Sequence, residues 1–294
     1  MKLLTRLFFL FVLILSASLI HAQDTVLYQR DSVVELQPSF DCTEKFFNRT
    51  EKPTAPEKVL VVTKSLKTIK LTSFLSGISP QQGGVLKGYS TGNPPTMQDY
   101  GLVDLDKDGK KELVVMNNTG GAHCCDEFYF FKNIGPNKYQ YAAKTFAGDV
   151  CVSDSNVFSY SFYQQLGYFF TCFACEYSDT SDTAPIQMSG MLFKYQKGKL
   201  VVFPGDQELR SIINDNLGKF GEQPYKKIES TELGQDDGLR KEVAFNLAVY
   251  YYSFGKNIVE TQKLFNKYYK FPDAAKVWAE FKKQLQYIQK ASDL

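Results

Sequence analysis

Histidine is all but missing from this chain: two occur in 294 residues, His21 and His123. His21 falls in a leading segment laid out like an export signal, which leaves His123 as the one histidine of a processed protein. Zinc hydrolases built on two or three histidines are thereby excluded, and any triad with a histidine base would have to use His123. Long apolar runs are missing as well. The one run of note, Leu7 to Ile20, is broken by two serines and is shorter than the roughly 20 residues a spanning helix needs. Preceded by Lys2 and Arg6 and followed by His21-Ala22, it has the layout of a cleavable signal over residues 1–22. The expectation is a periplasmic or secreted protein with no transmembrane segment in the mature chain.

An excess of either charge is missing too. The chain carries 34 basic and 32 acidic residues, and residues 1–22 hold two of the basic ones and none of the acidic, so a processed chain is formally neutral. Neutrality gives no electrostatic reason to expect nucleic acid or an acidic membrane surface as a partner. Tryptophan occurs once, whereas 24 phenylalanines and 18 tyrosines point to many packed strands.

Residues 23–58 are polar and mixed, with Pro53 and Pro56 near their end, and read as a lead-in. From residue 59 to 204, short runs with strand character alternate with turn signals: Val59–Val62, Thr68–Thr72, Gly84–Tyr89, Tyr100–Leu105, Glu112–Asn117, Glu127–Lys132, Lys138–Thr145, Val157–Phe162, Tyr168–Phe173, Ser189–Tyr195 and Lys199–Phe203. Hairpin connections are expected at 135–137, 164–167 and 197–199. Beyond Pro204-Gly205 the period shifts from two to about 3.6. Helices are expected at Gln207–Leu217, ended by Gly218, at Gly238–Phe254, from an Asn257 cap to Lys270, and after Pro272-Asp273. Trp278, Phe281, Leu285 and Ile288 make one apolar stripe on the last, expected to pack within the protein. The fold class expected is α+β: an antiparallel β-rich domain over 59–204 followed by a small helical domain over 205–294.

The most chemically loaded stretch is Asp104-Leu-Asp-Lys-Asp-Gly-Lys-Lys-Glu112. Calcium takes six to eight oxygens at roughly 2.3–2.6 Å, and a tight loop supplies them from carboxylates at alternate positions. Asp104, Asp106 and Asp108 hold such positions, Gly109 permits the bend, Lys110 offers its backbone carbonyl, and Glu112 closes the set. Position twelve is Val115 and both flanks look like strands, so this is not an EF-hand. The stretch resembles the calcium loop of FG-GAP or VCBS-type repeats, in a match carried by Asp104, Asp106, Asp108, Gly109, Glu112 and the apolar strand after them. Lys107 stands where those repeats often have glycine. The motif occurs once, which implies one β domain with a single site rather than a full propeller. Downstream, Thr119-Gly-Gly-Ala-His-Cys-Cys125 is similar to a segment of secreted bacterial proteins, a likeness that implies export and no particular activity.

Six cysteines, Cys42, Cys124, Cys125, Cys151, Cys172 and Cys175, form an even set, which in an exported chain argues for disulfides. Cys42 would staple the lead-in to the body. A thiolate-rich zinc site at His123 with its neighbouring cysteines is a second reading, and a hydrogen-bonded turn at Gly120-Gly121 a third. Cys172-Phe-Ala-Cys175 has the spacing of a redox pair, but on a strand over 168–173 residues three apart face opposite sides, so separate disulfide partners are expected. The function these readings imply is that of a calcium-binding, disulfide-stabilised binding or scaffold protein, without catalysis, whose partner is a protein or glycan ligand. A carboxylate-pair hydrolase and a thiol–disulfide protein are the rivals.

Overall fold

The computed structural model describes residues 60–62, 67–70, 98–121, 124–147, 151–152, 156–175, 177, 184–227 and 237–294. The segments expected as a signal and a lead-in, Cys42, the strand expected at Gly84–Tyr89 and His123 lie outside them, as do the side chains of Cys124, Cys125 and Cys151.

Among the described residues, ten strands form two sheets. The larger has the order β2-β1-β6-β5-β4-β3, from β1 (Leu60–Val62), β2 (Thr68–Lys70), β3 (Gln98–Val103), β4 (Glu112–Gly121), β5 (Cys124–Gly135) and β6 (Lys138–Ala147). The smaller has the order β10-β9-β8-β7, from β7 (Cys151–Val152), β8 (Val157–Ser161), β9 (Gly190–Gln196) and β10 (Lys199–Val202). Pairing is antiparallel except between β1 and β6, which run parallel with Leu60 beside Lys138. That one pairing departs from the purely antiparallel expectation. It joins segments distant in sequence, which short-range hairpin signals do not encode.

Burial explains the strand sequences. In β8 and β9 buried and part-exposed residues alternate, so Phe158, Tyr160, Met191, Phe193 and Tyr195 share one inward face. In β4 and β5, Leu113–Val115 and Phe128–Phe131 are buried without alternation, as expected of central strands covered on both faces. Phe130 joins the two sheets: its ring meets Phe158 edge-on at 5.4 Å and Tyr195 stacked at 6.1 Å.

Among the described residues, five helices follow or interrupt the strands: α1 (Tyr163–Leu166), α2 (Gln207–Gly221), α3 (Leu239–Ser253), α4 (Ile258–Tyr268) and α5 (Ala274–Ala291). α1 occupies the stretch expected as a hairpin connection. The strand expected over Tyr168–Phe173 is replaced by turns, with Phe170 at a φ of 58°. Freed from strand geometry, Cys172 and Cys175 approach to 5.0 Å between Cα atoms and bond to each other, which corrects the expectation of separate partners.

α2 begins at an Asp206 cap whose carboxylate accepts from Leu209 N. It runs past Gly218 to Gly221, where the helix comes so close to the carbonyl of Tyr268 that a Cβ would sit 2.5 Å from its oxygen. α4 starts at Asn257 as expected, its side chain accepting from Val259 N and Glu260 N. α3 is buried along its whole length, Arg240, Lys241 and Glu242 included. The α5 stripe of Trp278, Phe281, Leu285 and Ile288 is buried. Beyond it, Asp293 exchanges backbone and side-chain hydrogen bonds with Lys144, and Ser292 Oγ accepts from Phe146 N, which covers the edge of β6 left open by the short β1. The described strands and helices belong to one compact unit, Phe40–Leu294, in which α3 packs on β9 and α5 on β6. Among the described residues no helix is long and apolar enough to cross a membrane.

Candidate metal centre

The acidic stretch is the loop of the β3–β4 hairpin. Its last ladder pair is Val103 with Glu112, so residues 104–111 make the bend. Lys107 at a φ of 59° and Gly109 at 86° turn the chain in the left-handed region, which glycine adopts without steric cost. Asp104 then closes the loop from inside: Oδ1 accepts from Asp108 N and Oδ2 from Gly109 N, each at 3.0 Å. Asp108 Oδ1 accepts from Lys110 N at 2.8 Å.

Two contacts from the smaller sheet hold this loop from outside. Asp106 Oδ2 accepts from Lys197 N, in the β9–β10 turn, at 2.9 Å, and Asn156 Nδ2 donates to Asp104 O at 3.0 Å. Sequence reasoning missed both. The only local signal is that Lys197-Gly198 is a turn, which says nothing of what the turn touches.

Ligand oxygens of Asp104, Asp106 and Asp108 all lie within 4.8 Å of one another. Two oxygens each roughly 2.4 Å from one hard cation are at most about 4.8 Å apart, so this spacing is compatible with the three sharing one metal ion. Asp106 Oδ1 is buried and has no hydrogen-bond partner. Glu112 is outside that trio: 2% exposed, it stands behind the loop with Oε2 accepting from Leu105 N at 3.0 Å. Burial, with the charges of Asp106 and Asp108 adding to it against the Leu105 N–H, pushes its carboxyl up to about 7. The Lys110 backbone meets the trio through its N–H to Asp108. An arrangement of three converging carboxylates backed by a fourth, costly to keep ionised, can bind a hard cation and be rigidified by it.

Comparison with family models, with curated protein sequences and with solved structures gives no match.

Proposed function

We propose that this is an exported calcium-binding protein whose ion braces a β-rich binding or scaffold domain, without catalysis of its own. The observation that carries the reading is the buried, unpartnered Oδ1 of Asp106, a residue whose carboxylate clusters with those of Asp104 and Asp108. A buried carboxylate oxygen without a donor is costly, and a cation removes the cost. The position of the loop supports bracing. It touches β9–β10 through Lys197 and the start of β8 through Asn156, so an ion there would tie the larger sheet to the smaller. Export is supported by the leading segment and by the Cys172–Cys175 disulfide, a bond suited to oxidising compartments. A protein or glycan ligand remains the partner class proposed.

The test is thermal melting with calcium, with chelator, and in Asp106→Ala and Asp108→Ala. Calcium is expected to raise the wild-type midpoint and to leave both variants unmoved. Equal midpoints under every condition would remove the reading.

A further inference from the structure

The Cys172–Cys175 disulfide has no part in the calcium site. Its ring encloses only Phe173 and Ala174, turned by a hydrogen bond from Cys175 N to Cys172 O at 3.2 Å. A crosslink over two intervening residues constrains the unfolded chain far less than one that closes a long loop, so its worth as a staple is small. Both cysteines are part-exposed and Ala174 is exposed, which gives an external thiol a path to the ring. Behind the ring stands Lys241, in the first turn of α3, with no exposed surface. Its ammonium donates to the carbonyl of Phe173 at 3.1 Å and to that of Cys175, and lies 5.4 Å from the centre of the Tyr163 ring. Lysine is almost never fully buried in proteins, and here its charge is aimed at the peptide units of a two-cysteine ring.

We propose that Cys172–Cys175 is a thiol–disulfide exchange site for an external thiol, with Lys241 as the positioning residue that holds the ring and stabilises the thiolate set free when it opens. In the first step the thiolate of an incoming R–SH attacks one ring sulfur. A bond from R–S to that sulfur forms, the Cys172–Cys175 bond breaks, and its electron pair leaves on the other cysteine as a thiolate. That anion forms in a ring whose Phe173 and Cys175 carbonyls hold a buried ammonium, and charge attraction in such a site is stronger than in water. A second R–S⁻ attacks the R sulfur of the mixed disulfide, releasing R–S–S–R and leaving both cysteines reduced. Two electrons thus pass from two thiols to the pair, and the two protons the thiols gave up return to the cysteine sulfurs through solvent.

The experiment equilibrates the folded protein in glutathione buffers of graded reduced-to-oxidised ratio, quenches and alkylates it, and counts thiols on the 172–175 peptide by mass spectrometry, with circular dichroism in parallel. The pair is expected to open and reclose reversibly while the fold stays intact. Lys241→Met should shift the midpoint ratio about tenfold toward the disulfide, and Lys241→Arg, which keeps the charge, by less than about threefold. A pair that stays oxidised until the fold is lost overturns the proposal, and so does a midpoint indifferent to loss of the charge. Should Lys241→Met not fold, the wild-type titration still decides, since reversible opening supports exchange and persistence of the disulfide refutes it. Calcium melting is a separate readout, so either proposal can fail without the other.

Discussion

The carboxylate of Asp106 accepts the backbone N–H of Lys197 at 2.9 Å, across 91 positions of sequence. One of its oxygens therefore holds the β9–β10 turn while the other is buried without a partner. Asp106→Asn separates the two roles. The amide keeps an oxygen for Lys197 and loses the charge that draws a cation. With chelator present, Asp106→Asn should melt within about 2 °C of wild type, a difference of under about 1 kcal/mol. With calcium at a hundredfold excess over its dissociation constant, wild type should gain about 2.7 kcal/mol, roughly 5–10 °C, and the variant less than half of that. Equal calcium shifts in the two proteins would show that Asp106 is only a clasp.

Glu112 poses the same question from behind the loop. Burial and two neighbouring aspartates make its ionised form costly. Glu112→Gln removes that cost and keeps an oxygen for Leu105 N. At pH 8 with chelator, the variant should melt at or above the wild-type midpoint, while its calcium-induced rise is smaller. A variant less stable than wild type without metal would mean that the buried carboxylate is held by favourable contacts, not by a missing cation.

How far the sequence revealed this arrangement depends on the range of each contact. The hairpin bend was legible because alternate aspartates, Gly109 and flanking apolar runs are local features, and the Asn257 cap was legible for the same reason. The CxxC turn was not. Tyr168–Phe173 is aromatic and reads as a strand, yet Phe170 takes a positive φ and Phe173 packs its ring on Tyr163 and Tyr168, a tertiary choice that overrides propensity. The clasp of Asp106 on Lys197 and the parallel pairing of β1 with β6 join distant segments, so no window of sequence contains them. Lys241 carries no local signal that sets it apart from any other charge on a helix. What makes it unusual is that α3 is covered on every side, and this follows only from how its neighbours pack.

Phe130 tests whether the two sheets share one core. Its ring is fully buried and contacts Phe158, Phe193 and Tyr195 of the smaller sheet. Phe130→Ala removes these edge-to-face and stacked pairs and leaves a cavity, for a loss of about 3–5 kcal/mol in chemical denaturation. A loss under about 1 kcal/mol would mean that the sheets do not depend on each other there.

Two ion pairs should behave oppositely. Arg240 is nearly inaccessible and bonds Asp273 through two nitrogens, at 2.8 and 2.6 Å, joining the starts of α3 and α5. Asp273→Ala takes the Asp273 carboxylate from that buried guanidinium, which keeps its bond to Lys226 O, and should cost about 3–5 kcal/mol. Lys263 and Glu260 meet at 2.8 Å on the surface of α4, and Lys263→Ala should leave stability close to that of wild type. Urea melts of the two variants, read against wild type, give both values. Comparable losses would contradict the burial difference.

Buried tyrosines set the alkaline limit of the fold. Tyr160, Tyr195 and Tyr252 are almost fully covered, and burial is the main cause that raises each phenol above its usual value near 10. The folded state accommodates only the neutral ring. Below pH 10 the phenols are protonated whether the chain is folded or not, and their contribution to stability is complete. Above pH 10 the unfolded chain sheds protons that the folded chain retains, so by linkage stability falls as pH rises. Each such tyrosine takes away about 1.4 kcal/mol per pH unit. Three of them should exhaust a typical stability of about 5–15 kcal/mol within roughly one to four units above pH 10. Tyrosinate absorbance and far-ultraviolet dichroism followed together from pH 9 upward should therefore show the phenols of Tyr160, Tyr195 and Tyr252 ionising in one cooperative step that coincides with loss of the fold. If all eighteen tyrosines instead titrate smoothly near pH 10 while the dichroism stays native, these rings are not enclosed between the sheets and helices.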